Sequence, residues 1–147
     1  MQCNFHITQQ VELNGPLGIL DVHNAYDLSK CEVSDAGRSF CLAFQGNEYL
    51  LKGRPEEFEL HFTGVTLLEM SGLPDDLSSL VIEEVGFMPA HVRDYQWSLD
   101  DGEPGPGKHL IVKGEIHDRQ GAVGGPVLLR ISAEFAKVTV GGQRALG

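Results

Sequence analysis

Apolar residues recur at every second position along most of this chain, and this period of two constrains its fold most strongly. Residues 57–63 read EFELHFT, in which phenylalanine and leucine alternate with charged or polar residues. Successive side chains of a β-strand point to opposite faces, so such a segment buries one face and exposes the other. No segment carries the apolar stripe at spacings of three and four that an amphipathic helix needs. The period therefore predicts an all-β protein.

Several further segments favour strands, separated by turn residues such as glycine, proline, aspartate and asparagine. The segments are 4–9, 26–34, 38–45, 48–52, 66–70, 80–87, 95–99, 110–116 and 126–140. We predict an antiparallel sandwich, a strongly bent sheet or an open barrel of about nine strands, with at most one short helix. Residues 1–140 are expected to form a single domain, and residues 141–147 a flexible tail.

Four local features make this prediction more specific. Asp35-Ala36-Gly37 joins two predicted strands closely enough for a hairpin. The alternation in 126–140 changes phase near Ala136-Lys137, which predicts a β-bulge that bends the strand between two sheets or at a barrel corner. Residues 74–77 favour one short helical turn. Trp97, the single tryptophan, lies in an alternating segment and is expected in the core.

Negative charge is concentrated in the middle of the chain. Between Glu56 and Glu103 there are twelve acidic residues and one basic residue, Arg93, while the whole chain has a formal net charge of −10. If the strands concerned are neighbours, their carboxylates form one acidic face that attracts a basic protein and weakens with salt. We predict that the partner-binding residues are Glu57, Glu59, Asp75, Asp76, Glu83, Asp100, Asp101 and Glu103.

The same charge disfavours other classes of partner. Phosphate groups bind to basic patches, and a pI near 4.9 points away from both nucleic acid and an anionic membrane surface. The N-terminus lacks the basic and apolar regions of a secretory signal. The cysteines are odd in number and lack the spacing of a disulfide framework, which fits reduced thiols. We therefore expect a cytoplasmic protein.

Catalytic and cofactor motifs are missing from the sequence. It contains no GxSxG, no P-loop and no HExxH, so we predict neither an enzyme nor a cofactor and assign no metal. One alternative stays open. Asp21 and His23 share a face if they lie on a strand, and His117 ends another predicted strand, so the three could converge on a divalent cation. As neighbours on a strand, Glu83 and Glu84 are expected to point to opposite faces.

Two stretches of the chain carry a resemblance to a known family. HNAYDL at 23–28 precedes a predicted strand–turn–strand, and FELHFTGVTLL at 58–68 ends a strand in a Phe-x-Gly-Val element. In this order they resemble the small all-β immunity proteins that accompany bacterial polymorphic toxins, in layout over residues 20–140. The resemblance implies a stoichiometric inhibitor whose acidic face covers the basic active site of a toxin, such as a nuclease, by mimicking its anionic substrate.

The sequence thus leaves four functional hypotheses, one of which is an enzyme that would require Asp21, His23 and His117 to converge in a cleft, with a metal or strongly shifted protonation. The first is a non-catalytic protein-binding domain, with the immunity-type inhibitor as its most specific form. The alternative is a sandwich or barrel that binds a carbohydrate or another small molecule in a concave pocket. Unpaired strand edges also make a homodimer through a strand edge a candidate.

Overall fold

A computed structural model describes residues 1–47, 49, 51, 53–89, 103–117 and 123–140. These residues form twelve β-strands and two three-residue 3-10 turns, Asp35–Gly37 and Leu77–Ser79. The strands are β1 (Gln2–Cys3), β2 (His6–Thr8), β3 (Glu12–Gly15), β4 (Gly18–Asp21), β5 (Tyr26–Ser34), β6 (Ser39–Gly46), β7 (Glu57–Thr63), β8 (Leu67–Ser71), β9 (Leu80–Pro89), β10 (Lys108–His117), β11 (Val123–Ser132) and β12 (Phe135–Val140). The prediction of an all-β protein is confirmed. Within the described ranges, no helix has the length and apolar character that crossing a membrane requires.

The strands form three sheets. The five-stranded sheet has the order β1-β12-β7-β6-β5, and the four-stranded sheet has the order β8-β11-β10-β9. A small sheet, β2-β3-β4, consists of two hairpins. All described pairings are antiparallel except that of β1 with β12, which is parallel. The inner faces share one core, so the arrangement is a sandwich with a third, smaller sheet.

The core is built from the residues that the alternation predicted. Phe58, Leu60 and Phe62 of β7 are buried, and each lies opposite a buried residue of β6. The rings of Phe44 and Phe58 stack with their centroids 4.7 Å apart. Buried side chains from all three sheets belong to a single cluster. Burial of these aromatic and aliphatic side chains is the main stabilising contribution to the fold.

The chain passes from one large sheet to the other between β11 and β12. Alternate residues of β11 are buried up to Ile131, and the buried phase resumes at Ala136 and Val138. The predicted phase change is therefore real, but its position is wrong. The break lies at Ala133-Glu134, where the Glu134 N–H donates to the carbonyl oxygens of Thr63 and Gly64 at 3.1 Å. These bonds anchor the crossing three residues earlier than the sequence indicated.

A β-bulge in β9 changes the direction of two glutamates. Glu84 pairs with Lys113 and Ile82 pairs with Gly114, so Glu83 is an extra residue. Burial shifts phase there, and neither glutamate enters the core. Regular alternation would have placed Glu83 and Glu84 on opposite faces; instead both stay outside the core, because the bulge inserts one residue between the two halves of the strand.

The N-terminal region differs most from the sequence prediction. The segment 4–9 contributes β2, while β1, β3 and β4 were not predicted because they are only two to four residues long. At its two described residues the predicted strand 48–52 is wrong, since Tyr49 lies in a turn and Leu51 lies outside any strand. The hairpin at Asp35–Gly37 is confirmed. Predictions for the 95–99 strand, Trp97 and the 141–147 tail lie outside the described residues.

Candidate functional site

Three aspartates from two distant parts of the chain line one groove. Asp27 is on β5, and Asp75 and Asp76 lie in the loop that follows β8. The groove has a volume of about 520 Å³. The described lining residues, which include no lysine or arginine, are Asp27, Leu28, Ser29, Gln45, Gly46, Asn47, Asp75, Asp76, Leu77 and Ser78. We call this feature the acidic groove.

Local structure fixes the Asp76 carboxylate and the outward direction of Asp27. Asp76 caps the 3-10 turn Leu77–Ser79, because its Oδ1 accepts hydrogen bonds from the Ser78 N–H at 3.1 Å and the Ser78 hydroxyl at 2.6 Å. Asp27 points outward between two buried residues of β5, as strand alternation requires. Asp75 is exposed. Asp76 is thus held by hydrogen bonds, Asp27 is directed by its strand, and Asp75 is exposed in the loop.

Glu57 extends the negative charge beyond the groove. It pairs with Gln45 across β7 and β6, and Gln45 in turn pairs with Asp27 across β6 and β5. These three residues form one row on the outer face of the five-stranded sheet. Loss of hydration raises the pKa of Asp27 above its ordinary value. The ionised Asp27 carboxylate is thus less well hydrated in the groove than it would be in water.

The other predicted partner-binding residues lie elsewhere. Glu59 is on the same outer face as Glu57, but its Oε2 lies 2.6 Å from the Nε2 of His61. Glu83 is on the four-stranded sheet. Glu103 is exposed near the N-terminus, whose ammonium group donates to the Gly105 carbonyl at 3.1 Å. Asp100 and Asp101 lie outside the described residues. The sequence predicted one acidic face, whereas the described members of that set occupy separate regions.

Cys41, Glu59 and His61 form a cluster of metal-ligand types on the outer face of the five-stranded sheet. Cys41 on β6 pairs directly with His61 on β7, and Glu59 lies two residues from His61 on the same face. One potential ligand atom from each residue lies within 4.8 Å of the others. Sequence reasoning missed this cluster because the 20-residue separation of Cys41 from His61 is not a recognised metal-binding spacing.

Charged neighbours surround this cluster. Glu32 on β5 pairs with Cys41, and its carboxylate lies 2.6 Å from the ammonium of Lys30. Burial raises the pKa of the Cys41 thiol to about 11, with further raising contributions from Glu59 and Glu32 and an opposing one from Lys30. The free thiol is therefore protonated at neutral pH.

A second cluster contains Glu83, Glu115 and His117, again with ligand atoms within 4.8 Å. Asp21, His23 and His117, whose convergence on a cation the sequence left open, do not form one of the metal-ligand groups of the described residues. Asp21 Oδ1 instead accepts hydrogen bonds from the backbone N–H groups of His23 and Asn24, both at 2.9 Å. The His23 ring nitrogen Nδ1 lies 2.6 Å from the Ile82 carbonyl oxygen. Both Asp21 and His23 therefore have structural partners.

A buried arginine lies on the face of the four-stranded sheet that points away from the shared core. The Arg130 side chain is 2% exposed, and its Nε–H donates to the Nδ1 of buried His109 at 2.6 Å. Its Nη1 lies 3.4 Å from the Glu69 carboxylate. The only sequence signal for this group was a basic residue inside the apolar run VLLRIS.

Comparison of the chain with protein-family models, with curated protein sequences and with solved structures found no significant match.

Proposed function

We propose that this protein is a non-catalytic binding domain that engages a basic protein through the acidic groove. The observation that carries this proposal is the convergence of Asp27 with Asp75 and Asp76, which are almost fifty residues apart in the chain. Clustered carboxylates in a concave surface focus a negative potential, which speeds the approach of a positively charged partner. A basic side chain inserted there would also relieve the unfavourable solvation of the Asp27 carboxylate.

The lining of the groove favours charge recognition over sugar binding. The described lining offers no aromatic ring on which a sugar could stack. The polar remainder, with Gln45, Asn47 and Ser78, supplies hydrogen-bonding groups around the carboxylates.

The most specific form of this proposal is a cytoplasmic immunity-type inhibitor that covers the basic active site of a toxin. Its support is the sequence resemblance together with the acidic groove. The HNAYDL stretch contributes Asp27 to the groove, and its Tyr26 hydroxyl donates to the Pro55 carbonyl at 2.6 Å. In the second stretch, Gly64 has a φ of +64° and turns the chain from β7 towards β8. Tyr26 and Gly64, one residue from each stretch, thus have structural roles.

The proposal is tested by capturing the partner and then measuring its affinity across a salt series. The bait is the full chain in lysate of its source cells at low and high salt, with mass spectrometry to identify a stoichiometric basic partner. The double variant Glu57→Lys/Asp75→Lys should weaken binding of that partner by at least about tenfold at low salt, or about 1.4 kcal/mol. The loss should shrink at high salt. Asp76 is left unchanged because it caps the 3-10 turn.

The matched control is Glu83→Lys/Glu103→Lys, which changes the net charge equally at two exposed positions outside both the groove and the row of Asp27, Gln45 and Glu57. This control should keep most of the wild-type affinity. Equal weakening by both double variants would mean that only total charge matters, and the groove would be rejected as the binding site. Failure to find a stoichiometric basic partner would reject the function itself.

A further inference from the structure

We propose that Cys41, Glu59 and His61 form a binding site for a zinc-class divalent cation on the outer face of the five-stranded sheet. The site is separate from the acidic groove, and its existence does not depend on a protein partner. A thiolate, an imidazole and a carboxylate are the three side-chain donors that zinc takes in proteins.

The sheet brings these donors together on a rigid frame. Cys41 and His61 are directly opposite each other on the central pair β6 and β7, and Glu59 is the next outward-facing residue along β7. Zinc–ligand distances of about 2.0–2.3 Å put tetrahedral ligands roughly 3.5 Å apart. The potential ligand atoms already lie within 4.8 Å of one another. Binding therefore requires the ligand atoms to move by about 1 Å through side-chain rotation. The His61 and Glu59 ligand atoms, now 2.6 Å apart, must separate to admit the ion.

The charges around the site suit a dication. On binding, the Cys41 thiol releases its proton to solvent and the metal ion takes its place on the sulfur. The thiolate and the Glu59 carboxylate then balance the double positive charge. Lys30 adds one positive charge nearby, but its ammonium lies 2.6 Å from the Glu32 carboxylate. On the other side of Glu59, Thr139 is its direct partner on β12, and the Thr139 hydroxyl oxygen is buried without a hydrogen bond. That hydroxyl can orient Glu59 once the ion draws the carboxylate away from His61.

Three protein ligands leave a fourth coordination position open. The cluster lines an open groove of about 350 Å³, together with Lys30, Glu32 and Ser39. A water molecule or a donor atom of a bound molecule can enter from this side, as in zinc sites with three protein ligands. The second cluster, Glu83 with Glu115 and His117, lacks a sulfur donor, so a thiolate signature distinguishes the two.

The test titrates the reduced full-length chain with Co²⁺ and Zn²⁺. We expect one Co²⁺ per chain, with a thiolate-to-cobalt charge-transfer band and the intense visible bands of tetrahedral cobalt, both removed when Zn²⁺ displaces Co²⁺. Cys41→Ser should abolish the charge-transfer band, and His61→Gln should weaken binding at least about tenfold. Cys31→Ser is the matched control, because Cys31 is a half-buried thiol on the adjacent strand that packs against the core. It should bind like the wild type.

A measurement on the unaltered chain keeps the test independent of variant folding. Saturating Zn²⁺ should slow alkylation of Cys41 at least about tenfold and leave the alkylation rate of Cys31 unchanged. Peptide mass spectrometry measures both rates. The proposal is overturned if zinc gives no protection of Cys41. It is also overturned if Co²⁺ binds without a charge-transfer band and His117→Gln abolishes that binding. Neither readout uses a partner, and the groove variants leave Cys41, Glu59 and His61 intact, so the two proposals fail separately.

Discussion

Asp27 shows how a single residue couples the acidic groove to stability. Its pKa is raised by loss of hydration, so the folded protein holds the proton more tightly than the unfolded chain does. The resulting stabilisation is fully present below the unfolded pKa, near 3.8, and is lost as the pH rises through the higher folded pKa. At neutral pH the ionised Asp27 carboxylate therefore opposes folding.

We predict that Asp27→Asn raises the free energy of unfolding slightly at pH 7 and that this gain disappears at a pH below the aspartate range. Urea unfolding at both pH values measures it. Because Asp27 is exposed, we expect the change in the free energy of unfolding to be small, and the prediction concerns only its sign. Glu56→Gln removes the same formal charge at another exposed position and corrects for the change in net charge. A loss of stability in Asp27→Asn at pH 7, after this correction, contradicts the prediction.

At the scale of elements, strand ends depend on backbone conformations that few residues adopt. Gly72 follows β8 with a φ of +79°, and a Cβ there would lie 2.4 Å from the Pro126 carbonyl oxygen of β11. Gly53 has a similar φ of +84°, but a Cβ there would meet nothing within 4 Å. Substituting alanine at each glycine therefore distinguishes two free-energy costs, that of the left-handed conformation and that of a clash with the backbone.

We predict that Gly53→Ala destabilises the protein by about 1 kcal/mol, the cost of a left-handed alanine. Gly72→Ala should cost roughly 2–4 kcal/mol, because β8 and β11 must also move apart to admit the methyl group. Urea unfolding of both variants gives the difference. Equal losses in the two variants would show that the close approach of β8 and β11 contributes nothing.

Strand predictions succeeded where alternation was long and failed where it was short. The run through β7 places Phe58, Leu60 and Phe62 in the core as predicted. In the predicted strand 48–52, Leu51 is buried but Tyr49 is 85% exposed, and the connection folds back towards Tyr26. Two or three apolar residues bury equally well in a loop, so period two is informative only over longer segments.

Over the whole molecule, the two ends of the chain complete one sheet together. β1 pairs with β12, and the Asn4 side chain continues that ladder. Its Nδ2 donates to the Val138 carbonyl at 3.0 Å, and its Oδ1 accepts from the Val138 N–H at 2.8 Å. The five-stranded sheet is therefore complete only when β12, the last described strand, has paired with β1. Contacts between residues so far apart in the chain form slowly, which predicts slow folding.

We predict that Asn4→Ala lowers the free energy of unfolding by about 1–3 kcal/mol, because two backbone groups of Val138 lose their partners. Asn24→Ala is the control, since its exposed amide donates to the Asp21 carboxylate at 2.9 Å and not to a backbone group of the described residues. It should cost no more than about 0.5 kcal/mol. Thermal or urea unfolding compares the two. An Asn4→Ala protein as stable as Asn24→Ala would show that the amide bridge does not hold the sheet edge.

The candidate sites were only partly predictable. Asp75, Asp76 and Glu57 were identified from the charge of the middle segment, but Asp27 lies outside that segment and was not chosen. Glu83 and Glu59 were assigned to one face, whereas they are on different sheets. Cys41 and His61 looked like isolated residues until strand pairing placed them opposite each other.

By itself, the sequence determined the strand content, the core faces and the acidic character of this protein. Alternation and composition are local properties, and burial of apolar side chains acts on them wherever the strand lies. Which carboxylates share a groove, and which thiol faces which imidazole, was decided only by the tertiary structure. Strand order, register and bulges follow from packing between segments far apart in the chain, and a single inserted residue such as Glu83 redirects the side chains beside it.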